Sequence, residues 1–293
     1  MDEPGPPPSD PRSSWDLPAF GDMAQVQEVG ELATRVLAPN PSAMTLDGTN
    51  TYVIGDHGSG DGIVLDPGPD DADHLARVEA VLAERDLGCV LVLVTHHHLD
   101  HAAAARPWAE HFGCQVAAPT AEVAGPTGRV VAVDDRLRFG ELELEVVATP
   151  GHTRDHLSYR APDGGLFTGD HVLGRGTSVV AHPDGDLGAY LDSLRRVLAL
   201  GPDRLLPGHG PILSEDPTVV VDFYLDHREF RQQQILAALA DEGPSSPRAL
   251  VERIYADVDR RLWDAAEAST RAALEYLANQ DRIRWDGDEA WLP

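Results

Sequence analysis

The chain has 293 residues, 42% hydrophobic and 25% charged, which is close to the soluble globular average and long enough for about two domains at roughly 150 residues each. That composition excludes wholesale disorder and a fibrous repeat, and the longest apolar run, residues 89–94, falls far short of the roughly 18 residues a membrane-spanning helix needs. Forty-nine acidic side chains face 23 basic ones, every one of them arginine, and the net charge of -26 repels polyanions at long range. Neither a basic nor an apolar leader opens the chain, so the expected compartment is the cytoplasm. Cys89 and Cys114 have no C-x-x-C spacing and read as reduced core residues rather than a disulfide or a thiolate metal site.

Residues 1–20 hold six prolines and no periodicity and are expected to form a disordered lead. From Val36 onward short β runs alternate with helical stretches. Strands are expected over 50–55 and 62–66, the second closing on Pro67-Gly68. A helix over 70–84 follows from the spacing of Leu75, Val78, Val81 and Leu82, and residues 89–95 read as a fully buried strand. A helix over 101–111 comes next, then strands over 115–118, 130–133, 142–149, 157–159 and 165–169, a helix over 187–200 and a strand over 204–206. The tail changes rhythm, with helices over 219–240, 249–255 and 262–277. A hairpin then turns at Asp286-Gly287, with Pro247 placed to open the second of these helices. The implied organisation is a lead over 1–20, an α/β layered body over 21–215 and a small winged-helix-like C-terminal domain over 216–293. Residues 222–293 carry 15 acidic and 9 arginine side chains, the wrong balance for a wing that reads DNA.

Thirteen histidines occur, and four of them fall in Thr95-His96-His97-His98-Leu99-Asp100-His101, immediately after the buried strand. A strand end projects side chains from a rigid base into a cleft, and imidazole with carboxylate is a donor set that zinc favours. Four further turns each put one ligand-type residue after a strand: Asp66 in Leu65-Asp66-Pro67-Gly68, His152 in Pro150-Gly151-His152, Asp170 in Thr168-Gly169-Asp170, and His209 in Pro207-Gly208-His209-Gly210.

This order of an early Asp, H-x-H-x-D-H, then His, Asp and His resembles the metallo-β-lactamase superfamily, over about residues 30–215. The resemblance implies an αββα sandwich. It also implies one metal on His96, His98 and His152, a second on Asp100, His101 and His209, Asp170 bridging them, and Asp66 orienting ligands by hydrogen bonds. Two zinc ions are the expected cofactor, although the same donors accept iron or manganese. The stretch from Asn40 to Tyr52, Thr153-Arg154-Asp155-His156 and the winged tail resemble the beta-lactamase-like protein 2 branch, whose catalytic body is similar to that of glyoxalase II. Activities within that branch range from single-stranded RNA cleavage to release of polyketide acyl groups from carrier-protein thioesters. Redox members of the superfamily depart from this pattern. Di-iron reductases have glutamate where this chain has His98 and carry an added flavodoxin module, and a persulfide dioxygenase lacks second-site ligands that Asp100, His101 and His209 supply here.

Two zinc ions roughly 3.5–4 Å apart share a water whose pKa falls to roughly 7, so hydroxide attacks without a general-base side chain. Asp100 is expected to orient it, and Asp66 and Asp100 are the expected catalytic carboxylates. His156, Tyr52 and Asn50 are candidate substrate contacts, with packing as the alternative for each, and His97 and His171 read as non-ligands. The leading function is a dinuclear zinc hydrolase of an acyl thioester or ester, small or carrier-bound. The main alternative is a metal-dependent single-stranded endoribonuclease, for which Arg253, Arg260, Arg261, Arg282 and Arg284 would have to cluster, because no basic aromatic groove is visible. A third reading is a noncatalytic metal-binding regulatory protein. The winged tail is expected to close over the active-site mouth or to form a homodimer contact.

Overall fold

The computed structural model describes residues 5–293. Seven strands, hydrogen-bonded in chain order, make the first sheet: β1 (Val26–Val29), β2 (Ala33–Leu37), β3 (Asn50–Ile54), β4 (Gly60–Leu65), β5 (Leu87–Leu93), β6 (Gln115–Ala118) and β7 (Arg129–Val130). Pairing is antiparallel from β1 to β4 and parallel from β4 to β7. Parallel pairing needs crossovers, which α1 (Ala72–Glu84), α2 (Leu99–Ala102), α3 (Ala105–Phe112) and α4 (Ala121–Ala124) supply. The second sheet holds β8 (Arg136–Phe139), β9 (Leu142–Ala148), β10 (Leu157–Arg160), β11 (Gly165–Gly169) and β12 (Arg204–Pro207) in the order β12-β11-β10-β9-β8, with α5 (Leu187–Leu200) crossing from β11 to its parallel neighbour β12.

Alternation along the strands decides the layering. In β5, Leu91 and Leu93 join Ile63, Leu65, Leu144, Val146 and Phe167 in the core between the sheets. Val92 instead packs outward with Val64, Val78 and Trp108 under α1 and α3. α1 is held there because Asp71 caps it by accepting from the His74 amide, and His74, Val78, Val81 and Leu82 fall on one face. The outer face of the second sheet is covered by α5, and the result is the expected αββα sandwich.

The tail comprises α6 (Pro217–Glu242), α7 (Pro247–Ile254), α8 (Trp263–Asn279) and the hairpin β13 (Arg284–Trp285) with β14 (Ala290–Trp291). α6 has 26 residues, about 39 Å of helix. Val220 and Tyr224 near its start and Ile235 and Leu239 near its end belong to one apolar cluster with Tyr190 and Leu194 of α5 and Leu250 and Leu274 of the tail. Body and tail therefore share a core.

Several expectations change. The proline-rich lead is not loose where it is described: Asp10 caps a short 3-10 turn, Pro11–Ser14, and the buried Arg12 guanidinium donates to the carbonyls of Leu173 and Gly176 at 2.7 and 2.6 Å. β1 and β2 precede the first expected strand. Their polar residues hide them, since Arg35 is fully buried in β2 and donates to the Ala24 carbonyl. The helix expected over 101–111 is two, α2 and α3, and the strand expected over 130–133 ends at Val130, with β8 unforeseen. Cys89 and Cys114 are free, half-buried neighbours with sulfurs 3.9 Å apart, packed against the core under α1 and α3. Among the described residues, no helix is long and apolar enough to cross a membrane.

Candidate metal centre

The chain's ligand-type residues meet at one edge of the sandwich, where β4, β5, β11 and β12 end in turns. Two groups of donors form at the centre, and His97, His98 and Asp184 make a third, outer one. Of the central two, His96, His98, His152 and Asp170 make one, and Asp100, His101 and His209 make the other. In the first, His98 Nδ1 lies 3.1 Å from both His96 Nε2 and His152 Nε2, and Asp170 Oδ2 lies 3.6 Å from His152 Nε2. In the second, His209 Nε2 is 3.2 Å from His101 Nε2 and 3.2 Å from Asp100 Oδ2. Asp170 turns its other oxygen, Oδ1, towards this second group, 3.3 Å from His101 Nε2 and 3.4 Å from His209 Nε2.

Four donors tetrahedral about an ion at roughly 2.0–2.1 Å sit about 3.3 Å from one another, so these separations are those of a coordination sphere. Asp170 Oδ1 is moreover buried with no hydrogen-bond partner, an orphan that a cation would satisfy. Gly208 clears the space, because a Cβ there would come within 2.6 Å of His101 and 2.8 Å of Asp170 Oδ1. The residues present fit a metal pair.

Four of the five imidazoles, all but His98, present one nitrogen to a group while a neighbour holds the other. His152 Nδ1 donates to the Val179 carbonyl at 2.6 Å, His209 Nδ1 to the Gly48 carbonyl at 3.2 Å and His101 Nδ1 to Asp66 Oδ2 at 2.9 Å. Asp66 also accepts from the Thr95 amide and hydroxyl, both at 2.8 Å, and that hydroxyl in turn faces His96 Nδ1 at 3.0 Å. Burial, then the neighbouring imidazoles, keeps His96 neutral, and burial with His152 takes His98 down to about 4. Burial would raise the Asp100 carboxyl, but His209 and His101 override it and hold it at about 2. Asp170 is likewise held well below the usual range, burial being outweighed by His209, His101 and His152. At neutral pH His96, His98 and His152 are thus neutral and Asp100 and Asp170 ionised, whereas His101, where Asp170 and Asp66 outweigh burial and raise it well above its ordinary value, holds a proton that a cation would displace. His98 and Asp100 are the half-buried members and face the mouth, and Leu99 between them is 76% exposed.

Three expected substrate contacts are placed elsewhere. His156 is buried, with Nδ1 2.9 Å from Thr149 Oγ1 and Nε2 accepting from the Asp170 amide at 3.1 Å. Asn50 is fully buried and donates from Nδ2 to the carbonyls of Pro207 and Gly210. The Tyr52 hydroxyl donates to the Pro207 carbonyl at 2.9 Å, its ring packed edge-on against Phe167. All three hold the turns that carry Asp170 and His209. His97 stands outside the two central groups but meets His98 and Asp184 in the outer one, its Nδ1 2.9 Å from Asp155 Oδ1, and His171 is buried against Tyr190. The residues missed by sequence reasoning are Thr95, whose hydroxyl faces His96, Ser178, which donates to the Asp170 carbonyl, and Thr149, which meets His156 behind Asp170. Only Thr95 carried a signal, its place between strand and histidines.

Residues 44–209 match the metallo-beta-lactamase superfamily domain and residues 246–291 the beta-lactamase associated winged helix domain. The chain is 33% identical over 281 residues to a beta-lactamase-like protein 2 homolog of Drosophila melanogaster, covering 89% of this chain and 94% of that one. It is 31% identical over 279 residues to an atrochrysone carboxyl ACP thioesterase of Aspergillus chevalieri, covering 91% and 84%. A beta-lactamase domain protein from Burkholderia ambifaria shares the fold at 21% identity with a TM-score of 0.78, covering 96% of each chain. With both the domain match and these relatives spanning the two donor groups, the chain belongs to the metallo-β-lactamase superfamily of hydrolases.

Proposed function

We propose that the chain is a dinuclear zinc hydrolase of acyl thioesters, with small or carrier-bound acyl groups as substrates. The observation that carries the reading is the carboxylate of Asp170, one oxygen turned to each donor group and one of them orphaned. His96, His98 and His152 would hold one ion and Asp100, His101 and His209 the other, and the pair would supply an activated water and a Lewis acid for the carbonyl. Asp100, ionised and at the mouth, orients the attacking water by accepting its hydrogen bond. Asp66 keeps the His101 imidazole aimed.

The leaving group favours a thioester. His156 has both ring nitrogens committed to the scaffold and cannot protonate a leaving oxygen, whereas a thiolate, whose acid has a pKa of about 8.5, departs without help. The thioesterase named among the relatives points the same way. The arginines that would mark an RNA surface are largely neutralised. Arg253 pairs with Asp241 and Glu242, Arg261 with Asp259 and Arg284 with Asp281.

The test is thiol release from a panel of acyl thioesters by zinc-loaded protein, run beside end-labelled single-stranded RNA. Release that is abolished by a chelator and by His98→Ala, with the RNA intact, is the expected result. Metal-dependent RNA cutting without thiol release would overturn the assignment.

A further inference from the structure

A cleft of about 400 Å³ opens between the catalytic body and the tail, within the size range of small-molecule sites. Met44 and Leu46 form one wall, Leu173 and Val179 a second, and Val258 and Leu262 of the tail a third. The body walls adjoin the metal centre through their backbone. Gly48, beside the first, accepts from His209, and Val179 accepts from His152. Ser178 and Val179 of the lining bond Asp170 and His152, so an arm lying in this cleft has one end beside the donor groups. Met44 is 49% exposed with nothing over it.

The same cleft is cationic. Arg175, Arg228, Arg231 and His227 line it, in a chain whose net charge is -26. Nε and Nη2 of Arg175, Nε of Arg228 and Nε of Arg231 are buried without hydrogen-bond partners. Arg228 is engaged structurally, donating to the Ser178 carbonyl and lying 5.1 Å over the Tyr190 ring. Arg231 lies 4.3 Å over Tyr255. Burial, then Arg228 and Arg231, lowers His227 to about 3, so it sits in the cluster as a neutral group. Buried guanidinium nitrogens without acceptors are costly, and an anion placed among them recovers that cost.

Resting on the thioester reading above, we propose that this cleft is the acyl-arm subsite. It takes an apolar arm bearing an anionic group, with Arg175 and Arg231 as the residues that hold the anion. The anion is a carboxylate on the acyl chain or the phosphate of a pantetheine carrier, which share this chemistry.

The experiment is calorimetric binding to the full metal-loaded chain of thioether analogues that cannot be hydrolysed. One pair compares suberyl- with octanoyl-N-acetylcysteamine analogues, and a second compares acetyl-phosphopantetheine with acetyl-pantetheine analogues. The expected result is at least tenfold tighter binding of the anionic member of one pair, which identifies the source of the anion. Arg175→Gln and Arg231→Gln should each reduce that preference to twofold or less while melting near the wild-type temperature. Equal binding within both pairs, or a preference that survives in both variants, would overturn the proposal. So would Arg175-dependent binding of a short single-stranded RNA with neither anionic analogue preferred. Thiol release is read separately, so a protein that binds the analogues but hydrolyses no thioester refutes the activity and not the subsite.

Discussion

Asp66 acts on the centre from behind, through the proton it holds on His101 Nδ1. Its φ of 49° is one that asparagine tolerates, so Asp66→Asn should keep the backbone and lose the charge. The expected outcome is about a 10–100-fold weaker second metal, measured by competition with a chromophoric chelator, with the first metal retained. Gly208→Ala should cost the same second metal by filling its space, and equal occupancy in that variant would refute the geometry. His74 supplies the acid limit. Its Nε2 meets Thr51 Oγ1 at 2.8 Å while Nδ1 is buried without a partner near Trp108, and burial takes its pKa from 6.5 to about 4. The unfolded chain therefore binds this proton first, and the stability from a neutral His74 is complete above about pH 6.5 and lost as pH falls towards about 4. His74→Gln should flatten the fall in melting temperature across that window. The clustering of the donor residues was legible because they follow strands β5, β9, β11 and β12 closely, Asp100 and His101 on the short helix α2. The burial of Asn50, Tyr52 and His156 was not, because a polar residue beside a site reads alike whether it faces substrate or props the turn.

At the scale of elements, the strongest correction concerns the lead. Proline-rich composition argued for disorder, yet one arginine outweighs it: Arg12 bonds the carbonyls of Leu173 and Gly176 and lies 5.5 Å from the Tyr224 ring centroid. Composition averages over a segment and cannot register a single long-range anchor. Charged hydrogen bonds of this kind contribute about 1.5–3 kcal/mol, so Arg12→Ala should lower stability to denaturant by that order. A loss of under about 0.5 kcal/mol would show that the strap is incidental. Helices were read well where apolar residues recur at helical spacing, as in α1, α5 and α8. β1 and β2 were not: β1 is exposed at three of its four residues, and β2, buried on both faces while carrying Thr34 and Arg35, shows neither an apolar run nor alternation.

At the scale of the molecule, the charge of -26 and the shared core set what the protein can meet and how it holds together. Long-range repulsion of polyanions predicts that the wild-type protein retards no single-stranded RNA at physiological salt in a mobility-shift assay. α6 threads both halves, so the boundary expected near residue 216 is not a place where the core divides. The cleft closes the argument. Val179 of its wall accepts from His152, so a bound arm and a bound metal would be tied by linkage, and whatever factor the metal added to the arm's affinity the arm would return to the metal. Where that factor is favourable, the protein would keep its metal best while loaded with cargo, and scarcity of either would show first as loss of the other.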